Sequence, residues 1–134
     1  MANICENTLR TFGDKKELKD FSKKTKTKKV MFTFEKLFPI PKGYNEGDKW
    51  YNWSIKNWGT KWDAYPDSVS RDEDEYLIEV SFCTAWGPPI EWLVKVSKIY
   101  KKLTFIIHYK ETGMGFEGVA KVKKGKLEDR CVNY

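Results

Sequence analysis

Polar and apolar positions alternate with period two along several stretches of the chain and fall at helical spacing in others. Residues 3–12 read as a strand that Gly13 ends. Asp14 then caps a helix over 14–23, with Glu17 three residues on to close a capping box and Leu18 and Phe21 on its apolar face. That helix runs out in the Lys- and Thr-rich linker 23–29. Residues 30–34 read as a short strand, which Phe38-Pro39-Ile40-Pro41 cannot continue because neither proline donates to a ladder. Tyr51, Ile55 and Trp58 fall at i, i+4 and i+7, the spacing of one helix face, and Gly59 suits the C-terminal cap. Residues 60–64 read as extended and 65–74 as an exposed loop.

The clearest strand covers 75–84, with Tyr76, Ile78, Val80 and Phe82 on one face and Glu79 and Ser81 on the other. Pro88-Pro89 opens a second helix over 89–101, with Ile90, Leu93, Val94 and Ser97 along one face. A strand over 103–110 follows. Gly113-Met114-Gly115-Phe116-Glu117-Gly118 breaks the pattern, 119–123 resumes it, and Lys124-Gly125 turns the chain into a last strand over 127–132. This order predicts an α+β fold of ferredoxin-like type. Its core is one antiparallel sheet with two helices packed on one face, interrupted by an inserted aromatic-rich helix and loop segment over about 38–74. A length of 134 residues suits a single domain spanning 1–134.

Composition excludes some classes. Aromatic residues make up 16% of the chain, with 6 Trp among them, too much apolar area for a disordered segment. No apolar run approaches the roughly 18 residues of a membrane span, and Met1 to Glu6 lack the basic and apolar regions of a signal peptide. A soluble cytoplasmic protein is the expectation. The net charge of +6 makes nucleic acid a candidate partner through the Lys-rich segment 15–29, with a second lysine run at Lys121, Lys123, Lys124 and Lys126. Asp67, Asp72, Glu73, Asp74 and Glu75 form an acidic stretch between them, and a solvated surface accounts for such runs equally well. The 3 cysteines, Cys5, Cys83 and Cys131, have no CxxC spacing and are expected as reduced thiols. His108 is the single histidine and sits in a strand pattern, so neither a zinc site nor a His-dependent nucleophile is expected.

Four stretches carry a family resemblance: Asn3-Ile4-Cys5-Glu6-Asn7-Thr8-Leu9, Asn57-Trp58-Gly59-Thr60-Lys61-Trp62-Asp63-Ala64, Phe82-Cys83-Thr84-Ala85-Trp86-Gly87-Pro88-Pro89, and Tyr109 to Gly118. Together they resemble the YubB-type, or Api-like, family of phage and plasmid proteins with a ferredoxin-like domain. The match runs in order over nearly the whole chain, and the second stretch is its most specific part. Ile4, where a Trp commonly precedes the Cys, and the Lys-rich linker depart from the pattern. The resemblance implies a ferredoxin-like fold, a mobile genetic element as the source and a bacterial host cytoplasm as the location. It implies no settled activity, cofactor or catalytic residue.

The same stretches share a chemistry. Trp58, Trp62, Trp86 and Phe116 are aromatic, Lys61 is cationic, Asp63 and Glu111 are acidic, and Met114 lies among glycines. Rings that stack a base, with Lys and backbone N–H groups to hold phosphate, are what a nucleotide pocket requires. Trp58, Lys61, Trp62, Asp63, Trp86, Glu111, Met114 and Phe116 are therefore the candidate ligand-binding residues, expected to meet in one concavity. Packing is the competing account, since Trp is often buried and the glycine-rich stretch suits a bulge. The glycines lack the GxxxxGK[ST] pattern and lead into a strand, so they are no phosphate loop. Glu111 and Glu117 flank them without a fixed separation, and no catalytic residue, metal or cofactor is assigned. Three classes stay open: a binder that sequesters a nucleotide-type signal of host defence, a nucleic-acid- or protein-binding inhibitor of a host defence complex, and an enzyme acting on a nucleotide-like substrate.

Overall fold

Alternation along β1 (Ile4–Gly13) buries Cys5, Asn7, Leu9 and Thr11 and leaves Ile4, Glu6, Arg10 and Phe12 exposed, so one face of this strand is core and the other is solvent. The computed structural model describes residues 3–44 and 47–134; the inserted segment expected over 38–74 is described apart from Asn45 and Glu46, and residues 1 and 2 of the domain also lie outside. The remaining elements are α1 (Lys15–Lys24), α2 (Lys49–Asn57), β2 (Ser70–Glu73), β3 (Leu77–Ala85), α3 (Ile90–Ile99), β4 (Leu103–Glu111), β5 (Phe116–Lys123) and β6 (Lys126–Asn133). The strands form one 6-stranded sheet in the order β2-β3-β1-β4-β5-β6, and every neighbouring pair is antiparallel. The first four strands in space, with α1 and α3, are the β-α-β-β-α-β core predicted from the sequence. β5 and β6 extend it as a meander joined by Lys124-Gly125, both with positive φ, the geometry of a two-residue type I′ hairpin.

Period two carries the core across the sheet. Ile78, Val80 and Phe82 on β3, Leu103, Phe105, Ile107 and Tyr109 on β4, and Ala120 and Val122 on β5 are all buried. Above this face Phe21 of α1 meets Phe105 at 5.4 Å, Tyr100 at 5.6 Å and Trp92 of α3 at 6.2 Å, which places both helices on the same side. His108 points the other way, exposed on the open sheet face between Thr8 and Val119. Among the described residues no helix is long and apolar enough to cross a membrane.

Several local expectations change. Residues 30–34 are not a strand: the Thr33 N–H goes to the Thr25 carbonyl and the Phe34 N–H to the Asp63 carboxylate, so no ladder partner remains. Their alternation is real, because Phe32 and Phe34 both enter the core, but side-chain and turn hydrogen bonds satisfy this backbone. The second strand of the core is β2 instead, within the stretch expected as loop; its sequence Ser-Arg-Asp-Glu has no apolar position to betray it. Residues 60–64 run as bends, not an extended segment. Tyr76 precedes β3 and is exposed. α3 buries Trp92, Leu93, Val96 and Ser97, a face rotated from the one expected through Ile90 and Val94. Asp14 caps α1 by accepting from the Glu17 N–H, whereas the Glu17 carboxylate reaches across to the Lys102 N–H and leaves the capping box half formed. β5 starts at Phe116, so the glycine-rich turn is confined to 112–115.

Candidate functional site

Gly59 ends α2 with φ +84°, its N–H shared between the Ser54 and Ile55 carbonyls. A Cβ there would stand 3.2 Å from the Glu91 nitrogen at the start of α3, a tight contact that adds to the strain any side chain would meet at this φ. The chain that follows splits its side chains between core and surface. Trp58 goes inward, 1% exposed, between Phe34 and Trp53, with Nε1 donating to the Phe38 carbonyl at 3.0 Å. Asp63 also turns in, accepting from the Phe34, Glu35 and Ala64 N–H groups and the Thr33 hydroxyl, which pins the segment 33–35. Burial outweighs those four donors and holds its carboxyl above the usual range. Lys61 and Trp62 stay outside, positioned because the Ser54 hydroxyl donates to the Lys61 carbonyl and the Thr60 hydroxyl to the Trp62 carbonyl.

The turn after β3 meets them. Trp86 adopts φ +71°, uncommon for so bulky a residue, while its N–H donates to the Asn3 carbonyl at 2.8 Å. The Lys61 ammonium lies 4.4 Å from the centre of the Trp62 ring and 5.2 Å from that of Trp86, within cation–π range of both. Trp62 and Trp86 remain 37% and 39% exposed. Three residues absent from the expected set complete the cluster: Trp50 stacks on Trp62 at 13° between planes, Tyr51 meets Trp86 edge-on, and Tyr65 meets Trp62. Helical spacing assigned Tyr51 to a packed face. The density of aromatic residues between 50 and 65 was the signal that would have found all three.

The fourth stretch, Tyr109 to Gly118, lies at the same end of the sheet without direct ring contact to this cluster. Glu111 is fully buried, and its carboxylate accepts from the Gly113 and Met114 N–H groups at 2.7 and 2.9 Å, folding the turn onto itself. Asn3 links the two groups: its carbonyl takes the Trp86 N–H, and its side chain packs on the α-carbon of Gly113. Met114 is exposed, and Phe116 packs against Tyr109 at 6.1 Å. The structure thus joins Lys61, Trp62 and Trp86, commits Trp58, Asp63 and Glu111 to the fold, and sets Met114 and Phe116 beyond Asn3. All three cysteines are unpaired; burial pushes the Cys5 thiol up to about 12, which keeps it out of nucleophilic chemistry.

The lysines of 15–29 lie beside the acidic stretch. Lys26 pairs with Glu73 at 3.0 Å, Lys24 with Asp20 at 3.2 Å and Lys15 with Glu75 at 3.8 Å. Arg71, its side chain 4% exposed, donates to Glu73, to the Thr25 hydroxyl and to the Ser22 and Met31 carbonyls, tying β2 to the end of α1.

A family model described as the ferredoxin-like domain in Api92-like protein matches residues 58–133. The crystal structure of a protein Api92 from Yersinia pseudotuberculosis is similar to this one with a TM-score of 0.70 at 9% sequence identity, covering 100% of this chain and 98% of that one. At that identity the likeness is one of fold. No curated protein matches the chain.

Proposed function

Because the chain belongs to the family of ferredoxin-like domains in Api92-like proteins, a membership that carries a fold but no assigned chemistry, we propose its function from the aromatic cluster. It is a non-catalytic binding protein that holds a nucleotide-type ligand on Trp62 and Trp86, with Lys61 toward the phosphate. The observation that carries this reading is the single ammonium lying over two half-exposed indoles. Ring faces and a cation at one place are what a stacked, phosphorylated base needs. The backbone of Trp86 adds support. A bulky residue at positive φ costs on the order of 1–3 kcal/mol, and such strain at a partly exposed ring favours a role for the ring beyond packing. Asp63 and Glu111 are engaged with backbone amides and Cys5 is buried, so binding accounts for the arrangement better than acid–base or nucleophilic chemistry. With the mobile-element source that the resemblance implies, the setting we infer is counter-defence: capture of a nucleotide-type signal inside a bacterial host.

Mass spectrometry of small molecules released on denaturing the purified protein identifies the ligand. Fluorescence titration with that molecule then compares the wild type with Trp62→Ala and Trp86→Ala. Each truncation weakens binding by about 1–3 kcal/mol while the circular dichroism melt stays cooperative. Folded variants that bind as tightly as the wild type overturn the reading. Variants that fail to fold show instead that the rings are core.

A further inference from the structure

Lysines from separate segments meet at the end of the sheet opposite the aromatic cluster. β1 ends there at Gly13, against the Lys102 carbonyl, and β4 begins there at Leu103. The Gly125 N–H donates to the Ser97 hydroxyl at 2.8 Å, and the methylene stem of Lys98 packs on the α-carbon of Gly125. This end of the sheet is therefore where the last turn of α3 abuts the β5–β6 turn. From the helical side it carries Lys98, Lys101 and Lys102, all exposed. From the hairpin side come Lys121, Lys123, Lys124 and Lys126, with Lys123 facing Lys126 across the ladder. Among the described residues none of these lysines takes part in an ion pair; Lys121, Lys123, Lys124 and Lys126 line one shallow depression with Glu128, which faces Lys121 across the ladder, and Glu17 reaches the Lys102 N–H. The segment 15–29 differs in that Glu75, Asp20 and Glu73 pair with Lys15, Lys24 and Lys26, whereas at this end seven lysines have Glu128 and Glu17 as neighbouring carboxylates.

We propose that this end of the molecule is a second binding surface, one that holds the phosphate backbone of nucleic acid without reading sequence. Lys121 and Lys123 share a strand face about 6.6 Å apart, two residues along a strand, close to the step between successive phosphates of one strand. Lysines are point charges suited to phosphate contact, not to the bidentate recognition of base edges. The surface owes nothing to the aromatic cluster, which lies about 30 Å away along β1, so neither proposal depends on the other.

The test is fluorescence anisotropy with a labelled mixed-sequence DNA duplex of about 20 base pairs, at salt between about 50 and 200 mM. Wild-type affinity falls steeply with salt. Replacing Lys121, Lys123 and Lys126 together by Gln weakens binding at least tenfold at the lower salt and reduces the log–log salt slope by about 2–3. Replacing Lys16, Lys23 and Lys28 by Gln leaves both unchanged. Should the hairpin variant fail to melt cooperatively, the triple replacement of Lys98, Lys101 and Lys102 by Gln takes its place. Equal loss in the 15–29 variant, no duplex binding at the lower salt, or binding only to phosphatidylserine vesicles overturns the proposal.

Discussion

Trp86 holds a backbone conformation that glycine would hold without strain. Its φ of +71° puts Cβ against the following carbonyl, at a cost of roughly 1–2 kcal/mol for an L-residue. Trp86→Ala removes the ring but keeps that strain, whereas Trp86→Gly removes both. The glycine variant is therefore expected to be the more stable of the two by about 1 kcal/mol in urea denaturation; equal midpoints would mean that the turn relaxes. Thr11 is the complementary case. Its side chain is fully buried, and among the described residues its hydroxyl is the buried side-chain group without a hydrogen-bond partner. Thr11→Val keeps the shape and removes the orphaned polar atom, so it should stabilise the protein by about 1 kcal/mol. A destabilised Val variant would show that the hydroxyl finds a partner in water.

At the scale of elements, β2 works as a clasp. Arg71 and Glu73 hold the C-terminal turn of α1 and the linker beyond it, and Lys26 joins from that linker. Burial raises the Glu73 carboxyl, but the bonds from Lys26, Arg71 and Ser22 outweigh it and leave the group below the ordinary glutamate range. A lowered carboxyl means that the unfolded chain takes up the proton first as pH falls. The contribution of Glu73 is thus present above about pH 4.5 and lost as pH falls through the folded value. Glu73→Gln should be less stable than the wild type at neutral pH, with the gap closing toward pH ~3. Urea midpoints at the two pH values check this, and a gap of constant size would show that charge is not the cause. This clasp was illegible in the sequence because β2 is wholly polar, while β1, β3 and β4 announced themselves by alternation of Leu9, Val80 and Ile107 with solvent-facing neighbours. The 30–34 stretch misled for the opposite reason: Phe32 and Phe34 alternate like a strand, but Asp63 takes their backbone. Lys61, Trp62 and Trp86 were found by residue type. Adjacency in sequence does not say which side chain turns inward, and so Trp58, Asp63 and Glu111 were grouped with them.

The whole molecule is polarised along its strands. Asn3, Trp86 and the 112–115 turn mark one end, and the lysines around Gly125 mark the other. The 30–34 stretch packs on α3 between them: Phe34 contacts Trp92 at 5.0 Å, and Trp92 Nε1 donates back to the Phe34 carbonyl. β1 sits inside the sheet, paired to β3 on one side and β4 on the other, and Asn7 ties it further to the Phe82 carbonyl and the Thr84 hydroxyl. That placement bears on how the chain is made. β1 leaves the ribosome before its partners β3 and β4, and at about 5–20 residues per second it waits on the order of 5–20 s before β4 can close its second edge. Local contacts alone cannot nucleate such a sheet, so folding is expected to be slow for a protein of this length. During the wait β1 is an unpaired strand with open hydrogen-bonding edges. The nascent chain is then exposed to chaperones and to aggregation through β1, even though this ends as an interior strand of the finished sheet.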